Sequence, residues 1–222
     1  YELRKNERNL GSNGTFELLT ADADGKYFAY CDQDDIWLPE KIMRLHEAIR
    51  RENSMMAYSD MYVMDEVGNE IASSLKSVRK RLNYVKGDCL AETYFFRNCT
   101  AGCVMLVKKE IAQQACPFPK QTVCDQWIAI IAALNGRISF VDMPLIRYRQ
   151  HGRNQTGVLH GVVDKKTYYQ IRIAPLEERL KALEKYAQPS DKLVQFVRGR
   201  ITGKIKWIWN GRKFSRYDAL FE

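Results

Sequence analysis

Tyr27-Phe-Ala-Tyr-Cys-Asp-Gln-Asp-Asp-Ile-Trp-Leu-Pro39 decides how this chain is read. The apolar run Tyr27 to Cys31, with Gly25 before it and polar residues after it, predicts a short buried strand. Asp32, Asp34 and Asp35 then crowd into four positions where that strand ends, and Pro39 sits where a helix would begin. Carboxylates packed this closely repel one another, so something must offset their charge. A hard divalent cation does so, because Mg²⁺ and Mn²⁺ favour carboxylate oxygen and leave positions open for phosphate. Solvated acids that also cap a helix are the competing reading.

Working outward, helices and strands alternate. A helix is expected around Gly14 to Ala23 and another over 39–52, where Ile42, Leu45 and Ile49 share a face and His46 lies beside it as a partly buried structural residue. Met55 to Met64 reads as a strand ending near Ser59-Asp60, Asp65 to Gly68 as a turn, and Cys103 to Val107 as a strand. Lys109 to Ala115 reads as a short helix stopped by Pro117 and Pro119. Asp125 to Leu134 is a helix ended by Asn135-Gly136, followed by short strands at Ile138 to Val141 and Leu145 to Tyr148. Residues 69–100 carry no clear period. The alternation predicts an α/β sandwich around a mostly parallel sheet, whose ligands bind at the carboxyl ends of the strands. Residues 1–156 form that domain in this reading, and 157–222 are a helical basic extension.

The chain has 222 residues, enough for a sizeable core, and its 45% hydrophobic and 28% charged content is that of a globular protein. No apolar run approaches the roughly 20 residues that span a bilayer, and no signal-peptide pattern opens the sequence. The six cysteines form no CxxC pair, which argues for reduced core thiols and against a disulfide frame or a zinc site at Cys99 and Cys103. The net charge of +8 is matched by eight basic residues between Lys192 and Arg216, a tract without Asp or Glu. The body is therefore neutral, which argues against a nucleic-acid partner.

A second constellation lies downstream. Val123-Cys-Asp125-Gln-Trp127 sets a carboxylate at the start of an apolar helix, suited either to capping that helix or to acting as a general base. Tyr148-Arg-Gln-His151-Gly-Arg-Asn154 follows a strand with groups suited to phosphate oxygens or a metal. Together with Asn9-Leu-Gly11, Tyr58-Ser-Asp60 and Thr100-Ala-Gly102, these motifs resemble the inverting family 2 glycosyltransferases, which have a GT-A fold. Within that family they are similar to bacterial rhamnosyltransferases of surface-polysaccharide pathways, over residues 1 to about 156.

The resemblance implies Mn²⁺ or Mg²⁺ held against the diphosphate of a nucleotide-sugar donor. Asp34 is then the metal ligand, with Asp32 near the ribose, Asp35 in support and His151 close to the metal or diphosphate. Asp125 is the catalytic base. Asn9, Asp60, Gly102, Trp127, Arg149 and Asn154 line the donor and acceptor cleft, and Arg149, His151 and Asn154 close over the diphosphate from a Gly-rich loop. Family members open with a strand, a helix and a second strand, so the resemblance also implies that this unit is missing before Asn9, leaving a sheet edge unpaired.

A glycan or lipid-linked glycan acceptor would place the protein in the cytoplasm or at the inner face of the plasma membrane. Residues 192–216 interleave basic side chains with Phe196, Trp207 and Trp209, and a helix there aligns Val197, Ile201, Ile205 and Ile208. Such a helix suits an anionic leaflet, or it packs its stripe on the protein. Two other classes compete with an enzyme: a non-catalytic binder of nucleotide sugars or glycans, and an interaction module acting through the basic tail.

Overall fold

A computed structural model describes residues 3, 5–151, 162–188 and 190–210. The chain divides into two compact units between His151 and Gly152. The boundary expected near residue 156 lies outside the described residues.

The first unit is built on six strands: β1 (Tyr27–Ala29), β2 (Ile36–Trp37), β3 (Met56–Met64), β4 (Glu70–Ala72), β5 (Met105–Lys108) and β6 (Ile138–Arg149). Its helices are α1 (Gly11–Asp22), α2 (Lys41–Glu52), α3 (Leu75–Val78), α4 (Ala91–Phe96), α5 (Lys109–Gln114) and α6 (Cys124–Asn135), and a 3₁₀ turn spans Gly102–Val104. The strands lie in the order β1-β5-β3-β6-β2, with β4 beside the far end of β3. This is the α/β layering anticipated, with one correction. The sheet is mixed, and β3 with β6 is its one adjacent parallel pair among the described residues.

The physical reason is the length of the helices. β1, β3 and β6 run the same way, and each follows a 12-residue helix, α1, α2 or α6. Twelve residues rise about 18 Å, enough to carry the chain back along a strand. β5 lies between β1 and β3 and runs against both. The helices before it, α3 and α4, have four and six residues, too short for such a return.

Helix α2 is amphipathic and packs on β3, β5 and β6. Leu45, Ala48 and Ile49 meet Ala57, Leu106 and Leu145 in a buried cluster. The stripe is rotated from the one expected: Ile42 is 41% exposed, and Lys41 is fully buried in its place. His46 packs edge-on against Tyr27 at 4.9 Å, as a structural histidine. Pro144 does not divide β6 into two strands. The irregularity is absorbed by register shifts against β3 on either side of Asp60.

The second unit contains α7 (Lys165–Tyr168), a π-helical turn (Tyr169–Ile173), α8 (Ala174–Leu183) and α9 (Lys192–Trp209). A capping box between Asp164 and Thr167 starts α7. Helix α9 packs on α8 and the π turn, burying Val194, Val197, Ile201 and Ile208. Tyr168 meets Trp207 at 6.2 Å, and Arg198 pairs with Glu184 at 2.6 Å. The stripe that a membrane could have received is therefore turned onto protein.

Candidate active site

Because β1, β3 and β6 share a direction, their carboxyl ends place the 32–35 loop and the 149–151 segment on one side of the sheet. Arg149 braces the loop. Its backbone N–H donates to the Asp35 carboxylate at 3.0 Å and its Nε to the Asp34 carbonyl at 3.0 Å. Its NH1 reaches the carbonyls of Glu66 at 2.8 Å and Asp65 at 3.3 Å. The Nε and NH1 groups of the guanidinium, expected to face the diphosphate, are thus bonded to protein carbonyls. His151 Nε2 lies 2.8 Å from Asp34 Oδ2, so these two expected metal-site residues meet each other directly.

The potential ligand atoms converge on a different set. Asp32, Asp35 and Cys103 place one atom each within 4.8 Å of one another. Burial holds the Asp32 and Asp35 carboxyls above their ordinary range, repulsion from Asp34 adds to it at both, and repulsion from Asp32 adds to it at Asp35. Oδ2 of Asp35 is buried without a hydrogen-bond partner. Two desolvated carboxylates and an orphaned oxygen fit Mg²⁺ or Mn²⁺. The Cys103 thiol fits such an ion poorly: burial and the neighbouring carboxylates push its pKa well up, so it stays protonated.

Asp125 occupies the first turn of α6, and the Asn13 side chain takes over the capping, accepting from the Cys124 N–H at 3.0 Å. The Asp125 carboxylate accepts from the Gln126 N–H at 2.6 Å, Asn98 Nδ2 at 3.0 Å and the Gly102 N–H at 3.1 Å. These donors and the helix N-terminus favour the charged form. Burial outweighs them, Asp32 opposes them as well, and the pKa is pushed up to about 6. A carboxyl so placed is largely ionised at neutral pH yet basic enough to take a proton. A Cβ at Gly102 would make only ordinary contacts, 3.7 Å from that of Asp125 and 3.8 Å from that of Tyr30, so the approach does not depend on a missing side chain.

Other expected contacts are used internally. Trp127, expected at the cleft, is fully buried, and its indole N–H donates to the Ala115 carbonyl at 2.8 Å, which places it in the core. Asp60 is 7% exposed. Its carboxylate accepts from Ser74 Oγ at 2.5 Å, Tyr84 OH at 2.5 Å and the N–H groups of Met61 at 2.7 Å and Leu75 at 3.2 Å. It anchors loops to β3 and has little left for a ligand. Asn9 accepts from the Gly11 N–H at 2.8 Å and turns the chain into α1, where Gly11 has φ of +69°. Asn154 lies outside the described residues, as does most of the loop expected to close over the diphosphate.

The sequence reading missed Asn98, Lys41 and Cys103. Asn98 stood in a stretch without clear period, and no local pattern ties it to a residue 27 positions away. Lys41 lies one position before Ile42, outside the stripe of Ile42, Leu45 and Ile49 that the period picks out.

The profile of "Glycosyl transferase family 2" matches residues 1–113, about half the chain. An "Uncharacterized glycosyltransferase MJ1057" of Methanocaldococcus jannaschii is 28% identical over 156 residues, 68% of this chain and 51% of its own length. A "dTDP-rhamnosyl transferase RfbG" of Shigella flexneri is 26% identical over 159 residues, 66% of this chain and 52% of its own length. The chain thus spans about half the length of these curated relatives. Among solved structures, that of S. aureus TarS 1-349 in complex with UDP-GlcNAc is similar with a TM-score of 0.47 and 13% identity, over 86% of this chain and 60% of that one. On the profile match the chain belongs to glycosyl transferase family 2.

Proposed function

We propose that the chain forms the donor and base sites of a metal-dependent inverting glycosyltransferase, moving a sugar from a nucleotide-diphosphate donor to a hydroxyl of a glycan or lipid-linked glycan. The observation that carries this reading is the Asp125 carboxylate, held by Asn98 and Gly102 and poised near pH 6. In the reaction, Asp125 accepts the acceptor hydroxyl's proton as that oxygen attacks the anomeric carbon. The bond to the diphosphate breaks on the opposite face, and the anomeric centre inverts. Asp32 and Asp35 would hold Mn²⁺ or Mg²⁺, with the Asp34–His151 pair beside them. When bound, the ion supplies positive charge against the leaving diphosphate.

The Shigella relative's name supports rhamnose as the sugar, and polysaccharide synthesis is the setting proposed with it. No helix among the described residues is long and apolar enough to cross a membrane. A peripheral contact with an anionic leaflet is proposed through the outer side of α9, where Lys192, Arg200, Lys206 and Trp209 are exposed.

The test is calorimetry with Mn²⁺ and nucleoside diphosphates, including dTDP and UDP. Binding that requires Mn²⁺ and survives Asp125→Asn, together with transfer that Asp125→Asn abolishes, supports the proposal. Equal transfer by both proteins contradicts it.

A further inference from the structure

Lys41 is fully buried beside this site, and the proposed chemistry gives it no part. Removing an ammonium from water costs several kcal/mol unless it is paired. Its Nζ donates to the Cys103 carbonyl at 2.6 Å and sits 3.3 Å from the centroid of the Trp37 ring. Burial pulls its pKa down to about 8, while Asp35 and Asp32 act the other way.

The carbonyl it grips belongs to the turn that holds the base. Within Gly102–Val104, the Gly102 N–H donates to Asp125 Oδ2, and the next carbonyl accepts from Lys41. The Cys103 thiol stands beside Asp32 and Asp35. Two backbone bonds close the turn itself, Val104 N–H to the Ala101 carbonyl at 3.2 Å and Met105 N–H to the Gly102 carbonyl; neither reaches the acidic loop. Gly102 itself has no side chain with which to fix its orientation. Lys41 projects from the first position of α2, directly after the acidic loop and Trp37. One side chain thereby links the segment carrying the acids to the segment carrying the donor to the base.

We propose that Lys41 is a positioning residue that holds the Gly102–Val104 turn, and through it the Asp125 carboxylate, at a fixed place relative to the acidic loop. The inference rests on the reading of Asp125 as the base, but its test does not depend on turnover. Amide exchange by NMR compares wild type with Lys41→Met, which keeps the length of the side chain and removes the donor. The Gly102 amide should exchange about tenfold faster or more in the variant, as expected when a bond to a charged acceptor loosens. The central β3 amides of Ala57 and Tyr58 should keep their protection.

Unchanged Gly102 exchange would overturn the proposal, and so would an equal loss at Ala57 and Tyr58, which would mark Lys41 as a general core residue. If Lys41→Met does not fold, the wild-type protein decides. Ammonium protons of Lys41 that exchange slowly and show contacts to the Cys103 segment support the clamp, and rapidly exchanging ones overturn it. Absence of glycosyl transfer by the wild-type protein would count against the proposed function alone.

Discussion

Replacing Asp125 by Asn should stabilise the protein at neutral pH, and the size of the effect follows from its surroundings. The carboxyl moves from an ordinary 3.8 to about 6 in the folded chain, mainly through burial. The folded state therefore holds this proton more tightly than the unfolded state. Below about pH 4 both states are protonated and the group costs nothing. Between about pH 4 and 6 the unfolded chain ionises first, so stability falls as pH rises, and above about pH 6 the penalty is constant. At about 1.4 kcal/mol per pH unit this amounts to ~3 kcal/mol, an upper figure because Asn keeps only part of the bonding with Gly102, Gln126 and Asn98. Urea denaturation of wild type and Asp125→Asn at pH 4.5 and pH 8 measures it. About 1 kcal/mol of the penalty is already present at pH 4.5, so the variant should gain about 2 kcal/mol relative to wild type on going from the lower to the higher pH. A stability difference that does not change with pH would refute a carboxyl poised near 6, and with it the reason for choosing Asp125 as base.

Other outcomes follow from the same geometry. Asp35→Asn should weaken Mn²⁺ binding, read by calorimetry, at least tenfold, and more than Asp34→Asn does, because Asp34 is already paired with His151. Asp60→Ala should lose about 3–5 kcal/mol in chemical denaturation, since it strands the buried donors of Ser74, Tyr84 and Leu75. Trp127→Phe should cost about 1–2 kcal/mol, through the lost bond to Ala115 and lost volume, and leave nucleotide binding unchanged. Flotation with anionic liposomes should succeed at low salt and fail at high salt, and Lys192→Glu with Lys206→Glu should reduce it, if the outer side of α9 meets a leaflet.

What the sequence made legible was local. Helices α2, α6 and α9 announce themselves by period, and the acids at 32–35 by crowding at a strand end. The direction of β5 was not legible, because it depends on how far the short helices before it reach. Nor was the pairing of Asp34 with His151, which is set by β6 ending beside the loop after β1. For Asp60, Arg149 and Trp127 the motif shows that a polar or aromatic group is present, but not which protein atoms it already bonds. Lys41 reverses the case, for a lysine is ordinarily solvated and only the neighbouring carboxylates and carbonyl make its burial tolerable.

The most direct test is the release of nucleoside diphosphate from nucleotide sugars, dTDP-rhamnose and UDP-GlcNAc among them, by wild type and Asp125→Asn, each with and without Mn²⁺. The account predicts Mn²⁺-dependent release by wild type that falls about 10²-fold or more in the variant, while both bind the nucleotide alike. Release by Asp125→Asn within a few-fold of wild type would contradict it.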